Sequence, residues 1–156
     1  MFIHDRVYGV ETEFGSMILK GNGEFVTSEQ LTTAHYNQMI ESCPERIRIQ
    51  KDKSYYWHQN GSLTYVDFND HPEHATAEYR SIRGVVAGIR AGERMMAEMF
   101  ASPMPGTKDH IVLYKNNIGW NGENDTICTY GCHENYSILT PWHERERIYD
   151  CMAPFL

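Results

Sequence analysis

Alternating polar and apolar residues near the start of the chain predict its first strand. The segment RVYGVETEFGSMIL, residues 6–19, fits one strand or a pair of strands broken at Gly15. Because successive side chains of a strand point to opposite faces, we expect Glu11 and Glu13 to share one face. The residues expected on the other face are Val10, Thr12 and Phe14.

A turn followed by a second strand is predicted in HQNGSLTYVDF, residues 58–68. The pair Asn60–Gly61 is typical of a tight hairpin turn, and the residues after it have the composition of a strand. The same alternation divides this strand into two faces. One face carries Leu63, Tyr65 and Asp67, and the other carries Thr64, Val66 and Phe68.

Capping patterns predict two helices in the first two thirds of the chain. The sequence TSEQ is a capping box with Thr27 and Gln30, and a helix from there should end at Cys43 before a proline. Ser81 is expected to cap a second helix over residues 82–101. Its three glycines lower the intrinsic helix propensity, so this helix needs packing against a sheet. Its apolar stripe consists of Ile82, Val85, Val86, Ile89, Met96, Met99 and Phe100.

The remaining segments complete an α+β pattern. MPGTKD is predicted to be a loop, HIVLYKN a strand, NNIGWNGEND a polar turn region, YGCHENYSIL a strand and HERERIYDCM a closing helix. Strands and helices do not alternate strictly along the chain. This favours a mainly antiparallel, curved sheet with helices packed on one face over a doubly wound fold.

Composition and charge narrow the function classes. The chain has 156 residues, 41% of them hydrophobic and 22% charged, which suits one folded domain. A net charge of -7 argues against general nucleic-acid binding and against docking on anionic lipid. No apolar run is long enough to span a bilayer, and no secretory signal is visible, so we expect a cytoplasmic protein that does not interact with membranes.

The four cysteines are read as reduced thiols, as expected in the cytoplasm. Cys128, Cys132 and His133 lie close together in CTYGCH, which raises the question of a zinc site. Their spacing is poor and no second ligand pair follows, so zinc is disfavoured.

Four carboxylates carry the strongest chemical signal: Glu11, Glu13, Asp67 and Glu73 all fall on or beside predicted strands. Clustered carboxylates repel each other, and a hard divalent cation with oxygen ligands relieves that repulsion. The sequence therefore suggests a magnesium site, with solvated charges on an outer face as the alternative. His71, His74 and His133 are interpreted as structural or surface residues, and no phosphate-binding glycine loop is present.

Five segments taken in order are more specific than any one of them. The combination GVETEFG, NGSLTYVD, DHPEHATAE, LYKNN and YGCHENY resembles the N-terminal part of the Pup ligase and depupylase family. That family is similar in fold to glutamine synthetase and other carboxylate–amine ligases. The resemblance implies ATP- and Mg²⁺-dependent joining of the C-terminal glutamate of Pup, a small disordered protein tag, to a lysine of a protein substrate through an acyl phosphate.

The resemblance also implies roles for individual residues. Glu11, Tyr65 and Glu73 match metal-site positions, and Asp67 matches the catalytic aspartate, which is a general base in ligases and a proposed nucleophile in depupylases. Thr76 matches an ATP-contacting position. Glu13, His133 and Glu134 lie in family motifs without an assigned role, although the carboxylate argument makes Glu13 a candidate metal ligand.

Several alternative functions follow from the positions at which this sequence departs from the family pattern. The short interval between Glu11 and Asp67 and the segment HATAE favour a ligase over a depupylase or deamidase. Leu63 stands where ligases have an ATP-contacting arginine, which leaves a non-catalytic binding relative open. A related carboxylate–amine ligase acting on a small molecule is a further alternative.

Family members are longer than this chain. We therefore expect residues 1–156 to be the N-terminal part of a Pup ligase-like catalytic domain without the C-terminal remainder. The chain is then a fragment, a reduced relative, or a half that a second chain or a homo-oligomer completes.

Overall fold

Antiparallel strands and one long helix make up most of the computed structural model, which describes residues 7–26, 47–48, 55–67, 71–115, 118–121, 126–137 and 141–155. The helices are α1 (Ile82–Met99) and α2 (Arg145–Met152), and 3-10 turns lie at Trp142–Glu144 and Ala153–Phe155. The strands are β1 (Tyr8–Glu13), β2 (Gly15–Leu19), β3 (Phe25–Val26), β4 (Ile47–Arg48), β5 (Tyr56–Trp57), β6 (Leu63–Val66), β7 (Pro72–Ala75), β8 (His110–Tyr114), β9 (Ile118–Asn121), β10 (Thr126–Thr129) and β11 (Cys132–Tyr136).

The largest sheet has six strands in the order β11-β1-β7-β6-β5-β4, and every neighbouring pair is antiparallel. A second sheet has the order β3-β2-β8, and β9 pairs with β10 in a separate hairpin. Helix α1 packs against β1 and β7. The predicted α+β class with a mainly antiparallel sheet is confirmed, although α2 buries none of its residues within the described structure.

The predicted alternation along the first strand is confirmed. Val10, Thr12 and Phe14 are buried, whereas Glu11 and Glu13 are half-buried on the opposite face. The break between β1 and β2 falls next to Gly15, as predicted. Gly15 is required there because an added Cβ would lie 2.1 Å from Cε2 of Tyr114. Residues 8–19 therefore contribute one strand to the six-stranded sheet and one to the three-stranded sheet.

Helix α1 starts at the predicted cap, since the hydroxyl of Ser81 accepts a hydrogen bond from the Gly84 amide at 3.1 Å. Its predicted apolar stripe is wrong in the first two turns, where Ile82 and Val86 are exposed. Glycines face the sheet instead: an added Cβ at Gly92 would lie 2.2 Å from the ring of His74. The helix approaches the aromatic rings of the sheet too closely for any larger side chain.

The hydrophobic core lies between α1 and the three-stranded sheet. Buried members of this cluster include Phe14, Ile18, Met96, Phe100 and Ile111. The strands β8 and β11 and the closing helix form as predicted, but the polar turn predicted over 116–125 contains β9. The capping box at Thr27, the helix to Cys43 and the face of Phe68 lie outside the described residues. Neither described helix is both long and apolar enough to cross a bilayer.

Candidate functional site

The strand register places the predicted site residues in two rows on one face of the six-stranded sheet. In the first row Tyr65 pairs with Glu73, and Glu73 pairs with Glu13. In the second row Glu11 pairs with His133 across β1 and β11. Since partners across a sheet project to the same side, four strands deliver these groups to a common surface. This is the face opposite to the one that α1 covers.

A backbone hydrogen bond between the end of β6 and the start of β7 brings Asp67 to the same place. The amide of Asp67 donates to the carbonyl oxygen of His71 at 2.9 Å. The chain then runs back through Pro72, so that Glu73 lies beside Tyr65. The pairing of the two strands therefore places Glu73 next to Tyr65 and Asp67.

The carboxylates form two groups that share one member. Ligand atoms of Glu13, Asp67 and Glu73 all lie within 4.8 Å of one another. Ligand atoms of Glu11, Glu73 and His133 satisfy the same limit. Glu73 thus lies between two candidate cation positions. The alternative of solvated charges on an outer face does not describe Glu73, whose exposed fraction is 1%.

Glu73 is the most perturbed acid of the described site. Burial, followed by the neighbouring negative charges of Asp67, Glu11 and Glu13, raises its pKa from 4.5 to about 7, although a hydrogen bond from Tyr65 opposes the rise. Its Oε1 is buried without a hydrogen-bond partner among the described residues. A buried carboxylate oxygen without a partner costs free energy unless a proton or a cation neutralises it. The residues therefore fit a bound divalent cation.

Tyr65 remains protonated in this environment. Burial and the hydrogen bond to Glu73 raise the pKa of its phenol well above the usual range, and the charges of Glu11 and Asp67 add to the effect. The ring of Tyr55 stacks on that of Tyr65, with centroids 5.1 Å apart. Without a bound cation Tyr65 therefore brings a neutral hydroxyl to the site, which suits a neutral ligand or a donor to Glu73.

Glu13 is held at one of its two oxygens. Its Oε2 accepts from the Gly131 amide at 2.7 Å and lies 3.3 Å from Nδ1 of His71. In the second group, Nδ1 of His133 lies 3.4 Å from Oε2 of Glu11. The side chain of His133 is largely exposed, so solvent reaches this end of the site.

Thr76 lies beside the carboxylates at the edge of an open cavity of about 800 Å³. Its Oγ1 accepts from the Val10 amide at 3.0 Å, which fixes the side chain between β1 and the end of β7. Leu63 and Glu11 line the same cavity. The nucleotide-contacting role of Thr76 stays a prediction, and Leu63 presents an apolar side chain where the resemblance leads us to expect an arginine.

Sequence reasoning missed three contributors to this site. His133 and His71 were interpreted as structural or surface residues, yet both lie within reach of the carboxylates. Gly131 was not considered, although an added Cβ there would lie 2.7 Å from the His133 ring and 2.9 Å from Oε1 of Glu13. The position of Gly131 beside His133 in one motif was the available signal, but its partner in β1 is distant along the chain.

Comparison with known proteins identifies the family of this arrangement. The family model described as Pup-ligase protein matches residues 6–156. The chain belongs to the Pup ligase family. It is 29% identical over 159 residues to the Pup–protein ligase of Xylanimonas cellulosilytica and 31% identical over 156 residues to that of Mycolicibacterium vanbaalenii. Each alignment includes 97% of this chain and 31% of the relative, so the chain spans about a third of their length.

A solved structure agrees with the family assignment. The chain is similar to a protein in the crystal structure of the complex between prokaryotic ubiquitin-like protein Pup and its ligase PafA, with a TM-score of 0.65 and 25% identity. The match includes 96% of this chain and 28% of that one. It confirms the predicted α+β, glutamine-synthetase-like fold.

Proposed function

We propose that this chain carries the cation- and nucleotide-binding part of an ATP- and Mg²⁺-dependent Pup–protein ligase. The supporting observation is Glu73, a buried carboxylate that joins two acidic groups and has one oxygen without a partner among the described residues. A bound cation would neutralise such a residue and supply the missing partner of its oxygen. Membership of the Pup ligase family supports the substrate class.

The metal ligands in this proposal are Glu11, Glu13, Glu73 and the hydroxyl of Tyr65. Magnesium favours oxygen ligands, and when bound it would neutralise negative charge on phosphate groups during their transfer. The chain's own part is to hold these oxygens in place before the cation arrives. The pairing of β1, β7 and β6 does this, because three of the four residues form one row across the strands.

Asp67 is proposed as the general base. In the proposed reaction the C-terminal glutamate of Pup is activated as an acyl phosphate at the expense of ATP. The amine of a substrate lysine attacks the acyl carbon, the bond from that carbon to the phosphate oxygen breaks, and the amine proton passes to the Asp67 carboxylate. The half-buried position of Asp67 at the end of β6 leaves it accessible to an incoming lysine.

The cavity beside Thr76 is the proposed nucleotide site. Gly9 and Trp57 contribute to its lining, and Glu11 lies at its border with the carboxylates. A nucleotide there would have its phosphates next to the proposed cations. The proposed partners are Pup and lysine-bearing proteins. We propose that a second chain or a homo-oligomer supplies the remaining contacts to Pup. The proposed location is the cytoplasm.

The test compares Asp67→Asn with the unchanged chain. Incubation with ATP, Mg²⁺ and a Pup ending in glutamate should yield ADP and a Pup–protein adduct. Asp67→Asn should lower adduct formation by about 10²-fold or more while magnesium-dependent ATP binding, measured by calorimetry, stays unchanged. The control is Asp150→Asn, because Asp150 is exposed on α2. Normal ligation by Asp67→Asn would contradict the role of Asp67.

Leu63 supports a second candidate, a non-catalytic module that binds a tag or peptide. Its apolar side chain lines the cavity where a phosphate-contacting arginine is expected. Absence of heat with millimolar ATP and Mg²⁺ would favour this module. A gain of ATP affinity in Leu63→Arg would then identify the lost contact. Release of ammonia from a glutamine-ending Pup, without adduct formation, would instead indicate the deamidase alternative.

A further inference from the structure

Glu13 receives two donors on a single oxygen, and one of them comes from a side chain. Nδ1 of His71 lies 3.3 Å from Oε2 of Glu13, and the Gly131 amide donates to the same atom at 2.7 Å. A carboxylate only accepts hydrogen bonds, so Nδ1 must carry the hydrogen. We propose that His71 is a positioning residue, which with the Gly131 amide fixes the Glu13 carboxylate for the cation that it shares with Glu73, beside Asp67.

The imidazole of His71 is itself held in place by a neighbouring aromatic ring. The ring of Tyr130 lies against that of His71, with centroids 4.7 Å apart, and the Tyr130 hydroxyl is 2.7 Å from that of Tyr114. Tyr114 in turn lies over Gly15, at a distance that no other residue at that position would allow. A series of contacts thus extends from the three-stranded sheet through Tyr114, Tyr130 and His71 to Glu13. His71 and Glu13 are both mostly shielded from solvent, with exposed fractions of 12% and 13%.

Fixing Glu13 matters because its neighbours repel it. Ligand atoms of Glu13, Asp67 and Glu73 lie within 4.8 Å of one another, and without a cation three carboxylates at this separation favour rotation of one of them away. Two donors on Oε2 oppose that rotation and leave Oε1 available as a ligand. Hydrogen-bonded partners of metal ligands typically change metal affinity by about 10- to 100-fold. The inference rests on the proposed function, since it assigns a task within that cation site.

The experiment compares two substitutions of one residue. His71→Phe keeps an aromatic ring against Tyr130 but removes the donor to Glu13, whereas His71→Asn keeps an N–H at about the position of Nδ1. Binding of Mn²⁺ to the 156-residue chain is measured by calorimetry. We expect His71→Phe to weaken binding about 10-fold and His71→Asn to stay within about threefold of the unchanged chain. His143→Phe, at a largely exposed histidine, is the control and should bind normally.

A second measurement requires no metal. Hydrogen exchange of the Gly131 amide, followed by NMR, reports whether Glu13 still accepts its hydrogen bond. We expect faster exchange in His71→Phe and near-normal exchange in His71→Asn. Unchanged exchange and Mn²⁺ affinity in His71→Phe would overturn the inference, as would equal losses in both variants, which would indicate a purely steric role. If the unchanged chain binds no Mn²⁺, the proposed function fails, and the Gly131 amide still decides the role of His71.

Discussion

Replacement of Glu73 by glutamine gives the sharpest test of the site. Glu73 is buried at the junction of both carboxylate groups, and its pKa is raised to about 7. Glutamine has nearly the same shape and keeps an oxygen that can accept from Tyr65. The substitution therefore removes the charge while retaining most of the packing. The difference in stability between the two chains then isolates the effect of the buried charge.

The sign and size follow from proton linkage. The folded-state pKa lies above the unfolded value of 4.5, so the folded chain holds the proton more tightly. Stability is fully present below about pH 4.5 and is lost as the pH rises through about 7. A rise from 4.5 to about 7 corresponds to about 3 kcal/mol. Over the interval from pH 5 to pH 8, Glu73→Gln should gain about 2–3 kcal/mol relative to the unchanged chain.

Urea unfolding in the presence of a chelator, followed by tryptophan fluorescence at several pH values, measures this difference. Titrations of groups remote from Glu73 cancel in the comparison. A parallel pH dependence of the two chains would refute the account of Glu73 as a buried, raised-pKa carboxylate.

Addition of Mg²⁺ separates the electrostatic account from the proposed cation site. A ligand at 100 times its dissociation constant stabilises the folded state by about 2.7 kcal/mol. We expect Mg²⁺ at about pH 8 to stabilise the unchanged chain and to have little effect on Glu73→Gln. Equal stabilisation of both chains would contradict a role for Glu73 in cation binding, even if the pH dependence is as expected.

Two further predictions concern the opposite face of the sheet. Gly92→Ala should destabilise the fold by about 1–3 kcal/mol in urea unfolding, because its Cβ would overlap the ring of His74. The control is Gly9→Ala, whose Cβ would lie 3.9 Å from its nearest atom. It should change the free energy of unfolding by less than about 0.5 kcal/mol. Burial lowers the pKa of His74 from 6.5 to about 4, so stability present above 6.5 should fall by about 2–3 kcal/mol as the pH drops to about 4.5. A flat stability profile of Glu73→Gln over that range would contradict this.

These two titrations explain why the unchanged chain alone would be uninformative. Between about pH 5 and 6.5 the stability gained as His74 loses its proton opposes the stability lost as Glu73 ionises. The two residues are adjacent in β7 and face opposite sides of the sheet. Glu73→Gln removes the Glu73 titration, so the pH dependence of its stability shows the titration of His74.

Local rules predicted the elements that depend on adjacent residues. The alternation along β1, the turn at Asn60–Gly61 and the Ser81 cap all require contacts only a few residues apart. The same rules failed for the first turns of α1. Hydrophobicity predicted that Ile82 and Val86 would be buried, but the sheet offers rings that only glycine can approach closely.

The candidate site was predictable in its membership but not in its geometry. Residue type, strand periodicity and the family motifs were sufficient to name Glu11, Glu13, Tyr65, Asp67 and Glu73 as a group. Their separation into two groups around Glu73 depends on the register between β1, β7 and β6. Register is a long-range property, because it is set by how distant strands pack and pair.

By itself, the amino-acid sequence determined which side chains share a strand face, where the long helix begins and which family the motifs resemble. Only the tertiary structure decided that Glu73 is buried with one oxygen that has no partner in the described part of the chain, and that His71 and Gly131 hold Glu13. The physical reason is that burial, pKa and hydrogen-bond partners depend on groups far apart along the chain. Those groups meet only after the strands have paired.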